Sequence, residues 1–277
     1  MGLGGYLTWT AAIREIKQRS SDDLKIVPVE ANGDVITKVV QSSIFENNPN
    51  VTYDVNYENR FLLQLNNPAT NYCKKDLSDR AIHRYDKHII QQICEYYEIY
   101  DPALRCELFF TEQEEETVAE LTKKLDKNFV LIEPHSKMNY TKNRAYPFEK
   151  WQKVVNDVSK GVQVVQIGVE RVRLLENAVD FTGKTSFREA AALIGRSKMI
   201  ISTEGGLTHA ATITKTPAMV IVTGYQSPRM VCYPQNINLN IASHGPCGLK
   251  GICEECQKDA ENHDYNEIIE KIRGFLF

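Results

Sequence analysis

The chain has 277 residues, of which 42% are hydrophobic and 25% charged, which is ordinary for a globular protein and enough for one large or two medium domains. A formal net charge of −3 excludes a global positive field, so we expect no nucleic-acid partner. Apolar runs are too short to span a bilayer, and the first residues lack the basic and apolar regions of a signal peptide. The cytoplasm is the predicted compartment.

The first half of the chain predicts helices and strands in alternation, with irregular insertions. Apolar residues at helical spacing from Trp9 to Ile16 predict a helix, and the run LKIVPV predicts a strand. Asp34 is expected to cap a second helix that carries Ile36 to Phe45, and the polar stretch Asn66 to Arg80 is expected to be rich in loops. The elements predicted elsewhere in this half are a short strand VTYDV, a long helix AIHRYDKHIIQQICEYYEI, a strand ELFF and a helix TEQEEETVAELTKKL.

The second half alternates more regularly. Its predicted strands are almost continuous runs of Val and Ile, namely NFVLIEP, VQVVQIG, KMIIS and AMVIV. Ser186 and Glu189 have the spacing of a capping box at the start of one of the intervening helices. Such alternation predicts a parallel sheet covered by helices on both faces. A boundary near Leu125 to Asn128 would divide the chain into two α/β halves.

The turn after KMIIS carries the sequence Glu-Gly-Gly-Leu-Thr-His. Ligands of open parallel sheets lie beyond the carboxyl ends of the strands, and this turn lies at such an end. Gly205 and Gly206 would let a phosphate approach the backbone at a helix N-terminus. Glu204 has a carboxylate for ribose hydroxyls, and His209 lies near enough to donate to the same ligand. The alternative is a tight structural turn with a capping acid and a packed histidine.

A second group of candidate ligand-binding residues follows the strands NFVLIEP and VQVVQIG. Lys142 and Arg144 precede a Tyr-Pro helix start, where a cation would face a pyrophosphate; a solvated basic loop is the alternative. Glu170 follows Gly168 in the loop after the next strand. There it would bind a ribose hydroxyl or would simply begin a helix.

Seven cysteines are present, an odd number without an export signal, so we expect no disulfide framework. Cys253 and Cys256 have the spacing of a metal-binding knuckle, and Cys247 precedes them closely. These thiolates would hold a structural zinc or iron ion. The candidates for a fourth ligand are Cys232, His244 and His263. Reduced thiols on a surface segment or a redox-labile pair are the alternatives.

Three segments together resemble glycosyltransferase family 9, the lipopolysaccharide heptosyltransferase family. The segment FTGKTSFREAAALIGRSKMIISTEGGLTHAATITKTPAMVIVTG is similar to the core of the family's donor domain. NRAYPFEKW is similar to its Lys-x-Trp-Pro…Trp segment, and GLGGYLTWTAAIREIK to its N-terminal glycine-loop pattern. The resemblance implies a GT-B architecture, in which two Rossmann-like domains with parallel sheets face a cleft. It implies an acceptor-side domain at residues 1–126 and a nucleotide-sugar donor domain at residues 127–277.

The same resemblance implies that catalysis needs no metal or other cofactor, and that Arg144 takes the place of a family lysine, with Lys142 as the fallback. The donor-binding residues implied are Lys142, Arg144, Glu170, Glu204, Gly205, Gly206, Leu207 and His209. The expected function is transfer of a sugar, with heptose as one option, from a nucleotide-diphosphate sugar to a glycan or protein acceptor. A catalytically silent relative that binds nucleotide sugar or glycan as a partner subunit is the alternative. Peripheral association with a membrane stays open.

The sequence departs from the family pattern at three points. Glu204 stands where the family has Asp, and Gly5 stands where it has a catalytic Asp, so the catalytic base is unassigned. The chain also begins directly at the glycine loop, so the acceptor-side domain is expected to lack its first strand. Asp34 and Asp54 are carboxylates of that half that could replace the missing base.

Overall fold

A computed structural model of the protein describes residues 2–67, 74–75, 81–82, 86–135 and 140–277. The larger sheet is built from the second half of the chain. Its strands are β6 (Phe129–Glu133), β7 (Gln163–Gln166), β8 (Ala178–Asp180), β9 (Ile200–Thr203), β10 (Ala218–Val222) and β11 (Ile237–Asn240). Their order is β11-β10-β9-β6-β7-β8, and every neighbouring pair is parallel. The predicted α/β class with a parallel sheet is confirmed.

Helices cover both faces of this sheet because successive side chains of a strand point to opposite faces. The helices of this half are α4 (Phe148–Val158), α5 (Phe187–Ile194), α6 (Gly206–Ala211), α7 (Pro228–Val231), α8 (Glu254–Asn262) and α9 (Asn266–Leu276). Val130 and Ile132 of β6 pack with α4 and α9, whereas Phe129 and Leu131 pack with α5 and α6. The predicted capping box begins α5, where the Ser186 side chain accepts from the backbone amide of Glu189 at 3.2 Å.

The first half forms a smaller, mixed sheet. Its elements are α1 (Leu3–Gln18), β1 (Lys25–Asn32), β2 (Val35–Val39), β3 (Arg60–Gln64), β4 (Lys74–Lys75), β5 (Ala81–Ile82), α2 (Ile89–Glu95) and α3 (Glu112–Thr122). The sheet order is β2-β1-β3, with β1 antiparallel to β2 and parallel to β3. The short β4 and β5 pair separately. The prediction that the sheets of both halves are parallel therefore holds only for the second half.

The predicted helix after Asp34 is wrong. Gly33 has a φ of +58° and turns β1 back into β2 as a hairpin, so the residues after it form a strand. Val35 is 67% exposed on this strand, which sits at the edge of the sheet. Ile36, Val39 and Val40 have the spacing of a helix face, but pairing with β1 determines the structure of this short stretch.

Three more elements differ from their predictions. VTYDV contributes one isolated bridge, between Val51 and Ile26, and ELFF has no regular strand structure. The long helix predicted in this half is shorter, because His88 caps α2 at its start and Glu98 takes a φ of +58° after its end. Residues 83–85, and most of the loop-rich stretch from Asn66 to Arg80, lie outside the described residues.

One hydrophobic cluster connects the two halves. It joins α1, β1 and α2 to α5 and α6, and α3 packs directly on α5. The boundary predicted between residues 126 and 127 lies in the connection from α3 to β6, and it stays a prediction. Within the described ranges, no helix has the length and apolar character needed to cross a membrane. The cytoplasmic location likewise stays a prediction.

Candidate active site and metal centre

A cavity of about 1210 Å³ lies between the two halves. One wall is formed by residues at and beyond the carboxyl ends of β6, β7 and β9, together with the start of α6. The other is formed by the start of α1 and by residues near the ends of β1 and β3. The position agrees with the rule that open parallel sheets bind ligands beyond the carboxyl ends of their strands.

The predicted glycine turn lies in the wall of this cavity. Thr208 closes it, because its hydroxyl donates to the Gly205 carbonyl at 2.8 Å and accepts from the Gly205 amide at 3.3 Å. A Cβ added at Gly205 would meet no atom closer than the Thr203 carbonyl at 3.9 Å, so the space beside Gly205 is open. A Cβ at Gly206 would lie 3.1 Å from the Phe187 ring. Gly205 therefore leaves room for a ligand, whereas Gly206 serves the packing around α6.

Arg144 enters the cavity from the turn before α4. Its guanidinium carbon lies 4.7 Å from the centre of the Tyr225 ring and 5.5 Å from that of Tyr140. Its Nε lies 4.0 Å from a carboxylate oxygen of Glu204. Within the described part of the chain, Nε and both Glu204 oxygens are buried without a hydrogen bond of normal geometry. The arrangement leaves the outer face of the guanidinium available to an anion.

Glu204 belongs to the cavity wall, but its side chain is buried beside Arg144. Burial raises the pKa of its carboxyl to about 7, while the Arg144 charge and nearby backbone amides oppose that shift. Both oxygens are shielded from solvent. This placement favours a role in orienting Arg144 over direct contact with a ribose hydroxyl.

His209 is packed as well as cavity-lining. Its Nδ1 lies 2.6 Å from the Tyr233 hydroxyl, and only 8% of the residue is exposed. Burial, together with the Arg144 charge, lowers the pKa of His209 to about 4, so the imidazole is neutral at pH 7. The ring can donate one hydrogen bond but supplies no positive charge. His88 packs edge-to-face on the same tyrosine, and burial lowers its pKa to about 3.

The remaining candidates separate by position. Lys142 is exposed and outside the cavity wall, whereas Glu170 is an exposed residue of the wall. Asp34 and Asp54 do not line the cavity in the described part of the chain. Glu30, near the end of β1, is the carboxylate that the described first half contributes to the wall. It lies near Tyr6, whose pKa is raised by burial and then by the charge of Glu30.

Three cysteines and a histidine form a second site, the cysteine–histidine cluster of His244, Cys247, Cys253 and Cys256. The Cys256 sulfur lies 3.5 Å from that of Cys247 and 3.6 Å from His244 Nε2. The candidate ligand atoms of His244, Cys253 and Cys256 all lie within 4.8 Å of one another. A tetrahedral zinc ion with bonds of about 2.3 Å separates its sulfur ligands by about 3.8 Å. The donor set and spacing therefore fit a structural metal ion.

The electrostatics of the cluster also suit an ion. The Cys256 thiol donates a hydrogen bond to the Cys247 sulfur, which lowers the pKa of Cys247 to about 6 and raises that of Cys256. A thiolate is thus available near neutral pH, and thiolates are the form that binds metal.

Cys232, one of the three candidates for a fourth ligand, is not part of the group formed by His244, Cys253 and Cys256. Cys232 packs against the main hydrophobic cluster, and burial raises its pKa to about 12. His263, another candidate, instead contacts the Tyr146 hydroxyl at 2.9 Å. His244 is the candidate whose ring lies with Cys253 and Cys256, and Cys256 in turn contacts Cys247. Sequence spacing alone could not rank these candidates, because each is brought in by a different loop.

Family comparison agrees with this geometry. The sequence model of the family described as glycosyltransferase family 9 (heptosyltransferase) matches residues 52–250, which is more than half of the chain. The chain belongs to glycosyltransferase family 9. A comparison with curated proteins finds no match.

Solved structures support the same architecture. The chain is similar to E. coli ADP-heptose lipopolysaccharide heptosyltransferase II, with a TM-score of 0.65, 11% identity and coverage of 99% of this chain and 96% of that one. For a family 9 glycosyltransferase from Veillonella parvula the TM-score is 0.67 and the identity 13%, and the match covers 100% of this chain and 94% of that one. For TibC of enterotoxigenic E. coli, an iron-containing dodecameric glycosyltransferase, the TM-score is 0.68 and the identity 14%. The match covers 100% of this chain and 75% of that one. The predicted GT-B architecture is confirmed.

Sequence patterns did not point to several residues in or next to this cavity. Tyr140 and Tyr225 contact each other edge-to-face and both pack against Arg144. Only Tyr140 is near Arg144 in sequence, so only Tyr140 could have been predicted as its neighbour. Glu133 ends β6 in the cavity wall, and burial raises its pKa to about 7. Asn143 lies between Lys142 and Arg144 and was not predicted to have a role, yet its side chain hydrogen-bonds to the segment that carries the cysteines.

Proposed function

We propose that this family 9 member transfers a sugar, with ADP-heptose as the first donor to test, to a hydroxyl of a glycan or protein acceptor. The observation that carries the proposal is Arg144, a cation packed against two tyrosine rings in the same cavity as the open face of Gly205. A diphosphate placed there would receive charge-assisted hydrogen bonds from the guanidinium. Heptose as the sugar is supported by the family's description and by the ADP-heptose complex of TibC.

In this proposal the acceptor oxygen attacks the anomeric carbon of the donor. The bond from that carbon to the diphosphate oxygen breaks, and its electron pair leaves with the nucleoside diphosphate. Arg144 stabilises the charge that develops on the leaving group, and no metal ion is needed for this role. The neutral imidazole of His209 contributes a hydrogen bond at most, because its pKa is lowered to about 4 by burial and then by Arg144.

The acceptor hydroxyl must also lose its proton. Gly5 has no side chain for this, and Glu30 is the carboxylate that the described acceptor-side half presents to the cavity. Glu30 is therefore proposed as the general base. The substitution Glu30→Gln should lower kcat by about 10²- to 10⁴-fold while leaving ADP affinity unchanged.

Asp34→Asn is the matched control for Glu30, since Asp34 lies at the hairpin turn of the same strand and outside the cavity wall. Gly5→Asp in the Glu30→Gln background should restore part of the rate. A Glu30→Gln variant with wild-type kcat would remove Glu30 from the mechanism.

The decisive experiment incubates the purified protein with ADP-heptose and with other nucleotide sugars, with and without extracts of glycan and protein acceptors. Acceptor-dependent release of nucleoside diphosphate is expected. Binding of ADP-heptose without any release would instead support the catalytically silent relative. Absence of both binding and release for every nucleotide sugar would contradict the proposed function.

We further propose that the cysteine–histidine cluster holds a structural zinc or iron ion. The four protein ligands would complete a tetrahedral site and leave no open position for catalysis. That TibC, a structure of similar fold, is described as iron-containing supports an ion of this kind. Elemental analysis of the purified protein should find about one equivalent of metal, and His244→Ala should lower that content while Cys232→Ala should not. Less than about a tenth of an equivalent in the wild type would reject the site.

A further inference from the structure

Asn143 is buried between the cavity and the cysteine–histidine cluster, with 1% of its surface exposed. Its side-chain oxygen accepts from the Cys253 amide at 2.9 Å. Its side-chain nitrogen donates to the carbonyls of Leu249 at 2.9 Å and Gly251 at 2.7 Å. All these contacts lie in the segment that carries the cysteines, so the segment's conformation determines where Asn143 sits.

The backbone of Asn143 is hydrogen-bonded at the same time to the residue that follows β10. The Thr223 hydroxyl donates to the Asn143 carbonyl at 2.7 Å, and Arg144 follows directly in the chain. A shift of Asn143 would therefore move the first atoms of the Arg144 side chain. One residue connects the segment around the cysteines to the cation of the cavity.

Tyr225 forms a second contact between the two sites. Its ring packs with Cys247, Cys253 and Cys256 in one buried cluster, and the Arg144 guanidinium lies 4.7 Å from the centre of the same ring. The backbones of the two segments are also hydrogen-bonded, because the Cys247 amide donates to the Gly224 carbonyl at 2.9 Å. The surface that supports Arg144 is thus partly made by the cysteine-bearing segment.

We propose that Asn143 is a positioning residue that couples metal binding at the cysteine–histidine cluster to the placement of Arg144, and so to the affinity for a nucleoside diphosphate. The inference rests on the proposed donor site. An ion would hold His244 and the cysteines in one geometry, and the three hydrogen bonds of Asn143 would transmit that geometry to the turn at residues 142–144. By linkage, bound nucleoside diphosphate would tighten metal binding by the same factor.

The first test measures ADP binding by calorimetry for the full chain, with Zn²⁺ as the probe metal, in metal-free and zinc-loaded forms. The wild type should bind ADP about 5- to 150-fold more tightly when loaded, the usual range of such couplings. Asn143→Ala should take up zinc and show a ratio near one. Lys142→Ala, an exposed neighbour in the same turn, should keep the wild-type ratio. A general loss of packing would weaken ADP binding equally in the zinc-loaded and metal-free forms, so the ratio of the two affinities would not change.

Asn143→Asp supplies a second variant if Asn143→Ala does not fold. It preserves the size and the acceptor oxygen but loses both N–H donors, so it too should reduce the ratio. A wild-type ratio of one, a wild type that binds no zinc, or an Asn143→Asp variant with the full wild-type ratio would each overturn the proposal.

The second test needs no nucleotide and separates this inference from the proposed function. Hydrogen exchange of the backbone amides at residues 140–145 should slow on zinc loading in the wild type but not in the Asn143 variants. If that difference is seen while ADP binds to neither form, the donor-site proposal fails and the link through Asn143 is supported. Equal exchange in loaded and metal-free wild type would overturn the link.

Discussion

Arg144 differs from the other basic residues near the cavity in how it is held. Two tyrosine rings and the buried carboxylate of Glu204 fix its guanidinium, whereas Lys142 extends into solvent. Arg144→Ala should weaken ADP binding by about 10- to 150-fold, the equivalent of roughly 1.5–3 kcal/mol for a charge-assisted hydrogen bond. Calorimetric titration checks this, with Lys142→Ala as the matched loss of one positive charge. Equal effects of the two substitutions would show that only net charge matters.

The buried carboxyl of Glu204 should make the stability of the protein depend on pH. Its pKa in the folded protein is raised to about 7 by burial, above the ordinary value of 4.5, so the folded state holds the proton more tightly than the unfolded state. The contribution of this group to stability is therefore present below pH 4.5 and is lost as pH rises towards 7. Glu204→Gln, which is neutral throughout, should gain on the order of 3 kcal/mol relative to wild type between pH 5 and pH 8. Urea unfolding at pH 5 and pH 8 measures the free energy of unfolding of both proteins. If the variant differed from wild type by the same amount at both pH values, the prediction would be contradicted.

Among the elements, α1 and α6 pack with almost no space between their first turns. A Cβ added at Gly4 would lie 2.7 Å from the Gly206 Cα, closer than real contacts allow. Gly4→Ala should therefore lower the free energy of unfolding by about 1–3 kcal/mol, although alanine is the better helix former. Chemical denaturation gives the value.

Gly274 provides the control for that substitution, because it also lies in a helix but a Cβ there would meet nothing within 4 Å. Gly274→Ala should raise the free energy of unfolding by up to about 1 kcal/mol. If both substitutions stabilised the protein, the close approach of α1 and α6 would not exist in solution.

At the scale of the whole molecule, Arg188 joins the two halves. Its buried guanidinium binds both carboxylate oxygens of Glu114, at 2.5 and 2.9 Å, and donates to the carbonyls of Ser43 and Phe109. Arg188→Ala would remove the charged partner of the Glu114 carboxylate and one hydrogen bond from each of the two carbonyls. We expect it to cost about 3–5 kcal/mol.

The exposed pair of Arg196 and Glu115 spans the same two halves and is the natural comparison. Arg196→Ala should cost less than about 1 kcal/mol, because solvent screens the pair. Differential scanning calorimetry should show one unfolding transition in all three proteins, since a single hydrophobic cluster crosses the boundary. Two separate transitions in the wild type would mean that the halves are energetically independent.

The sequence by itself determined the class of the second half and much of its site. Runs of Val and Ile such as AMVIV are buried on both faces, so they predict a covered parallel sheet whatever their partners are. The capping box at Ser186, the turn at Gly205 and the neighbouring thiols of Cys253 and Cys256 are also local patterns. Each depends on residues a few positions apart, and such relations can be read from the sequence alone.

Only the tertiary structure decided which distant segments meet. It placed Glu204 beside Arg144, brought His244 rather than Cys232 to the cysteines, and tied Asn143 to a segment more than a hundred positions away. It also turned the residues after Gly33 into a hairpin. The reason is physical: periodicity reports which face of an element is buried, whereas contacts between loops depend on how the whole chain packs.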